Sequence, residues 1–246
     1  EGFWPGPLTL VAPKTSAIPD IVTAGGPSVG LRVPSPNVAR ALIERVGAPL
    51  AAPSANRSNR ISPTCAAHVV ADLDGRIDLV LDSGPTTVGL ESTVLDLTTT
   101  PARILRPGPI GWIDLAPFFK EGTLAPPTIT DAQANDRPSS PGMLAVHYAP
   151  RTRALRVESV ADVYQIAWPE RAGLLVFTPL DRSRIPGRVA VIEHLDPSAA
   201  AHDLYAALHR LDARGLDLIV VSMPPAQGAW DAVRDRLRRA TTPVEG

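Results

Sequence analysis

The sequence predicts an α/β protein built in two parts, and three observations carry that reading. Short apolar runs alternate with stretches of helical period through the first 117 residues. A Pro-, Ser- and Asp-rich stretch, "LAPPTITDAQANDRPSSPG", then breaks the pattern. After Arg151 the alternation resumes and includes a nearly all-apolar run at 216–221, as expected of a strand covered on both faces. Strands alternating with helices build layered α/β domains, and irregular Pro-rich chain connects them. The partition expected is therefore 1–117, a linker 118–150, and 151–246.

The elements follow in order. Residues 8–11 form a short apolar strand, and 29–33 form another that stops at Pro34. Ser35 as N-cap and Pro36 at the first helical position open a helix. Val38, Leu42 and Val46 recur on it at helical spacing, and Gly47 closes it. Residues 50–52 run as a strand into Pro53-Ser54-Ala55-Asn56. Ser62-Pro63 repeats the cap-and-proline start, for a helix with Ala66, Val69, Val70 and Leu73 on its apolar face and Gly75 at its end. Residues 77–81, 93–97 and 103–105 are three further strands. In the second part, 174–177 and 189–192 are strands. Asp196-Pro197 opens a helix bearing Leu204, Leu208 and Leu211 on one face, closed by Gly215. Trp230, Val233 and Leu237 mark a last helix.

Composition removes several function classes. Apolar residues make up 44% of the chain, enough for a sizeable core, and the formal net charge is −1, so no global basic field marks a nucleic-acid binder. Cys65 is the only cysteine, which excludes an internal disulfide and a cysteine-based zinc cluster and makes a reducing, cytoplasmic setting the expectation. No apolar run is long enough to span a bilayer, and no signal segment opens the chain. There is no H-E-x-x-H, no G-x-x-x-x-G-K-[ST], no G-x-G-x-x-G and no G-x-S-x-G. His202 and His209 lie two turns apart on one helix without an evident third ligand, and His68 reads as structural or exposed.

Polar residues gather where strands of the first part end. Arg32 stands among Val, Gly, Leu and Val; Ser54 and Asn56 follow a strand; Ser92 precedes one; Arg106 follows one. Ligands of open α/β sheets sit at such ends, and a guanidinium fork matches carboxylate and phosphate oxygens. Together these groups describe a site for a small anionic ligand. Each also has a plain alternative: Arg32 as a surface residue, Ser54 and Asn56 as turn formers, Ser92 as a turn cap, Arg106 as a solvated loop residue, and Ser62 as a helix N-cap.

The blocks "FWPGPLTLVAPK", "GGPSVGLRVPSPNVARALI", "PLAAPSANRSNRISPT", "DSGPTTVGLESTVLDL" and "ARILRPGPIG" occur in this order. Together they resemble the YrdC-like domain of threonylcarbamoyl-AMP synthases, and "SPGMLAVHYAP" resembles the linker of the two-domain form. The resemblance implies a twisted mixed sheet with helices, N-terminally incomplete, then the linker, then a small Rossmann-like parallel α/β domain. It implies a transferase of the nucleotidyltransferase type that makes threonylcarbamoyl-adenylate from L-threonine, bicarbonate and ATP, with Mg2+ accompanying ATP. It further implies delivery of the product to the tRNA threonylcarbamoyl-transferase machinery, with at most a weak tRNA contact and no membrane. By the same resemblance Arg32, Ala52, Ser54 and Ser92 line the threonine side. Ser28, Ser54, Asn56, Ser62 and Arg106 lie on the ATP side, and His147 and Tyr148 are the linker residues over the site. No residue is implied as a covalent catalyst; positioning and charge neutralisation carry the chemistry.

The sequence departs from the family pattern in two places. The Thr-x-Tyr-Gly-Leu-type segment and the Lys-x-Arg motif do not occur, so the chain as given is expected to be inactive alone. Leu144-Ala145-Val146 stand where the family has a basic-aromatic pair before His-Tyr-Ala-Pro. Two other readings share the fold: a carbamoyltransferase relative, and a double-stranded RNA or tRNA-binding module, against which the net charge argues.

Overall fold

A computed structural model describes residues 2–126, 147–226 and 228–244. The chain divides into two compact units, Glu1–Pro53 with Glu91–Met143, and Ser54–Leu90 with Leu144–Gly246. Contacts therefore group 54–90 with the C-terminal sheet, across the line that sequence pattern draws. The packing reason is that Ile61 and Leu90 are buried in one cluster with Leu204, Leu208 and Tyr205. The middle of the expected linker, including Leu144-Ala145-Val146, lies outside the described residues.

The first unit carries a four-stranded mixed sheet. Its strands are β1 (Leu8–Pro13), β2 (Ser28–Leu31), β3 (Thr93–Asp96) and β4 (Arg103–Arg106), in the order β2-β1-β3-β4. β1 pairs antiparallel with β2 and parallel with β3, and β3 pairs antiparallel with β4. Leu8, Leu95, Ala102, Ile110, Leu115 and Leu124 form its core. Helix α1 (Asn37–Val46) ends at Gly47, whose φ of 70° is the left-handed conformation that glycine takes without strain. Ser35 does not cap α1. Pro36, extended at ψ 129°, holds the N-cap position with no side-chain hydrogen bond. A short helix, α3 (Trp112–Leu115), follows the sheet.

The second unit begins with α2 (Ala66–Leu73). Ser62 is not its N-cap: the helix starts three residues later behind Cys65, because Ser62 is drawn into the interior at 7% exposure. The apolar runs at 50–52 and 77–81 do not form strands. A strand needs a neighbour to satisfy its backbone, and Leu50, Ile77, Leu79 and Leu81 are instead exposed.

The rest of the unit is β5 (Ala154–Val157), α4 (Val160–Val163), β6 (Ala172–Val176), β7 (Ala190–Glu193), α5 (Pro197–Asp212), β8 (Leu218–Ser222), α6 (Asp231–Ala240) and β9 (Thr242–Pro243). Its five strands are all parallel, in the order β7-β6-β8-β5-β9. Asp196 caps α5 as expected, its carboxylate accepting from the Ala199 N–H at 2.8 Å. Ala213, not Gly215, is the C-cap; Gly215 makes the left-handed turn two residues on, at φ 63°. The Leu204, Leu208 and Leu211 stripe is fully buried, as are Val233 and Leu237 of α6, so the sheet is covered on both faces as a parallel sheet must be.

Candidate active site

In the first unit, polar chemistry collects where β3 begins and β4 ends. Ser92 is buried and its hydroxyl lies 2.7 Å from Thr9 Oγ1 of β1. Arg106, the last residue of β4, donates from Nε and Nη2 to the Ser92 carbonyl at 3.2 and 2.9 Å, and from Nη2 to the Ser92 hydroxyl at 3.2 Å. Thr93, wholly buried, exchanges hydrogen bonds with the backbone of Ile110 at 2.7 and 3.1 Å and so ties the "RPGPIG" loop to the strand. That loop can approach only because residue 108 is glycine: a Cβ there would fall 2.4 Å from the Thr93 nitrogen and 2.8 Å from the Glu91 carbonyl.

Arg32 stands just past the end of β2. It keeps surface open to solvent, yet crowding by protein pushes its guanidinium below its ordinary value, and the charge of Arg106 adds to the effect. An anion beside these two cations would offset their mutual repulsion. Ser28 opens β2, paired with Pro13 at the end of β1. Ala52 is exposed and outside regular structure. The first unit thus brings together Ser92 and Arg106, and electrostatics couple Arg32 to Arg106.

The remaining expected residues lie in the second unit. Asn56 donates from Nδ2 to the carbonyls of Arg57 and Arg60, both at 3.0 Å, the turn-forming role its sequence context suggests. Its Oδ1 is buried and has no hydrogen-bond partner among the described residues, a strong acceptor kept available. Ser54 is exposed, and the Ser62 carbonyl accepts from His209 Nε2 at 3.2 Å. Tyr148 is 1% exposed, has φ 64°, and packs among His147, Tyr205 and Arg236 at ring distances of 4.0, 5.4 and 5.5 Å. The His147 N–H donates to the Arg239 carbonyl and the Ala149 N–H to the Asn59 carbonyl, both at 3.0 Å. The segment from His147 to Pro150 is therefore pinned to the C-terminal unit.

Sequence reasoning missed Thr9. The signal was present, a hydroxyl in the otherwise apolar run Leu8–Val11, and the rule that picked out Arg32 applies equally to it. Among the described residues no group of three or more His, Cys, Asp or Glu is placed to hold a metal ion, and no helix is long and apolar enough to cross a membrane.

Two family models match the chain. One, described as telomere recombination, covers residues 1–108, and one, described as the threonylcarbamoyl-AMP synthase C-terminal domain, covers 114–242. The threonylcarbamoyl-AMP synthase of Pyrococcus abyssi is 34% identical over 249 residues, spanning 97% of this chain and 71% of its own length. That of Bacillus subtilis is 37% identical over 256 residues, spanning 97% and 70%. The crystal structure of P. abyssi Sua5 complexed with L-threonine matches with a TM-score of 0.82 at 33% identity, over 99% of this chain and 74% of that one. A double histidine- and tyrosine-to-alanine variant of the same protein matches with a TM-score of 0.82 at 32% identity. A mixed sheet with hydroxyl and guanidinium groups at its strand ends, joined to a parallel α/β domain, is here the fold of a nucleotidyltransferase-type enzyme. The chain belongs to the threonylcarbamoyl-AMP synthase family.

Proposed function

We propose that this chain forms L-threonylcarbamoyladenylate and pyrophosphate from L-threonine, bicarbonate and ATP, in the cytoplasm, for transfer to tRNA. The observation that carries this reading is the cluster of Arg32, Ser92 and Arg106, in which two cations are coupled beside a buried hydroxyl.

In the reaction, the threonine amine takes up bicarbonate and loses water to become a carbamate. A carbamate oxygen then attacks the α-phosphorus of ATP, the bond to the β-phosphate breaks, and pyrophosphate leaves. Arg32 holds the threonine carboxylate, with Ala52, Ser54 and Ser92 shaping that side. Ser28, Ser54, Asn56, Ser62 and Arg106 hold the nucleotide, Asn56 through its unpartnered acceptor. His147 and Tyr148, the linker residues expected over the site, pack into the second unit, Tyr148 in its core. Fixed donors and cations stabilise the charge that gathers in the transition state, and no covalent nucleophile is needed. Mg2+ accompanies ATP as part of the substrate, held by its phosphates.

The test follows pyrophosphate release by the natural full-length protein. Release should require L-threonine, bicarbonate and MgATP together, with threonylcarbamoyl-adenylate identified by mass. Turnover of ATP that is indifferent to threonine overturns the proposal.

A further inference from the structure

His68 of α2 and His209 of α5 stack face to face, their ring centroids 3.7 Å apart and their planes at 21°. His68 Nδ1 lies 3.2 Å from the Thr64 N–H and 3.2 Å from Thr64 Oγ1. A ring nitrogen accepts from a backbone N–H only when it carries no proton, so His68 is neutral here with its proton on Nε2. His209 Nε2 donates to the Ser62 carbonyl, which puts a proton on that atom. Cys65, the N-cap of α2, makes no side-chain cap hydrogen bond, and the His68 ring in the first turn accepts from the Thr64 N–H just before the helix.

We propose that His68 and His209 are a positioning pair that latches the segment carrying Ser54, Asn56 and Ser62 onto α5, and that protonation of the pair releases this segment. The inference rests on the reading of those three residues as the nucleotide side of the site. A proton on His68 Nδ1 removes the acceptor for Thr64. It also places positive charge in the first turn of α2, at the positive end of the helix dipole, and against the face of His209. The His209 Nε2–H bond to the Ser62 carbonyl survives protonation, so the release comes from the lost Thr64 bond and from charge against charge across the stack.

The surroundings do not offset this. Arg60 and Arg151 from the flanking segments, Asp72 from α2, and Arg210 and Asp212 from α5 line the same cavity of about 360 Å³. Asp72 is engaged by the Arg57 N–H and by Arg151 at 3.7 Å, Asp212 accepts from the Thr152 N–H at 2.7 Å, and Arg210 is paired with Asp203. Burial holds both rings below the ordinary value of 6.5. The neighbouring His209 pushes His68 down further. For His209 the Ser62 carbonyl, Asp212 and Asp72 pull the other way and Arg151 pushes down, with burial prevailing.

A depressed histidine pKa means the folded state binds fewer protons than the unfolded one. The latch is then complete above about pH 6.5 and is lost as the pH falls through the folded values. The far end of the segment is held by other contacts. His202 Nδ1 donates to the Thr87 carbonyl at 3.0 Å. Gly89, at φ 80°, packs so close to the His202 carbonyl that a Cβ would fall 1.9 Å away. The acid effect is therefore expected at the end bearing Ser62, where the two rings stack.

Hydrogen exchange of the whole chain at about pH 7.5 and pH 5.5, corrected for intrinsic rates, tests this together with ATP titrations at both values. Amides of residues 57–73 should lose about tenfold or more of their protection in acid while those of β6 and β8 keep theirs, and ATP affinity should fall once the pH is low enough for the released state to be the major one. His209→Phe, which keeps a ring against His68 without a titrating nitrogen, should flatten the acid loss. Equal protection at the two pH values overturns the latch, as does an acid loss of the same size in His209→Phe. Should that variant not fold, histidine ring titration of the unaltered chain by NMR decides: both rings must titrate below 6.5 and shift together, and a ring titrating at or above that value overturns the proposal. A released state that is the major one in acid with ATP affinity unchanged leaves the latch standing and overturns the nucleotide-side assignment of Ser54, Asn56 and Ser62.

Discussion

In the C-terminal unit every residue of β6 is buried, and six residues of α5 are as well. In the N-terminal unit β2 has no buried residue, and α1 leaves Val38, Leu42 and Val46 between 41% and 51% exposed. The first arrangement is what a parallel sheet demands, since its strands can satisfy both faces only under helices. The second concentrates its order in β1 and β3, the two central strands, and presents hydroxyl and guanidinium groups where they end. Most of the stabilising burial thus sits in one unit, and the Arg32, Ser92 and Arg106 cluster in the other. Truncation of a core leucine and truncation of a site arginine should therefore separate.

The largest expected effect is on stability. Leu204→Ala, in the fully buried stripe of α5, should cost about 2–5 kcal/mol in denaturant unfolding, through lost transfer energy and the cavity left behind. Leu42→Ala, at 41% exposure on α1, should cost no more than about 1 kcal/mol. Comparable losses for the two would erase the contrast between the units.

Next is an effect on binding without one on stability. Arg32→Ala should weaken L-threonine by about 1.5–3 kcal/mol, roughly ten- to hundredfold in Kd, with a smaller effect on ATP and little on the unfolding midpoint. Calorimetric titration reads this directly, and an unchanged threonine affinity would remove Arg32 from the site.

The smallest effect sharpens the comparison at two helix starts. Asp196→Ala removes the carboxylate that accepts from Ala199 and should cost about 1 kcal/mol, seen as a lower Tm. Ser35→Ala should change stability by less than about 0.5 kcal/mol, because Ser35 caps nothing. Equal losses would mean that α1 has a cap of the same kind.

Much of the C-terminal unit was legible because its elements announce themselves locally. The run at 216–221 overlaps β8, the capped start at Asp196 is the start of α5, and Trp230, Val233 and Leu237 are the buried face at the last helix. β5 escaped notice because Arg156 interrupts its apolar pattern; the side chain reaches the Arg238 and Thr241 carbonyls rather than marking a surface loop. The runs at 50–52 and 77–81 looked like strands for the same local reason and are not strands, since no neighbour pairs with them. In the site, Arg32, Ser92 and Arg106 stood out as polar residues at strand ends. Thr9 and the His68–His209 stack did not, because each takes its meaning from a partner far along the chain.

By itself the sequence determined the α/β class, the helices and strands with strong period, and the ordered motifs of the family. Period and capping are properties of a few neighbouring residues and the backbone geometry they share, so they can be read without knowing what lies across the fold. Only the tertiary structure decided that 54–90 packs with the C-terminal sheet, that Ser62 goes inward instead of capping a helix, that Tyr148 becomes a core residue, and that two histidines from different helices share one stack. Each of these depends on closing a long loop and on which buried polar groups must find partners there, and a local pattern carries neither quantity.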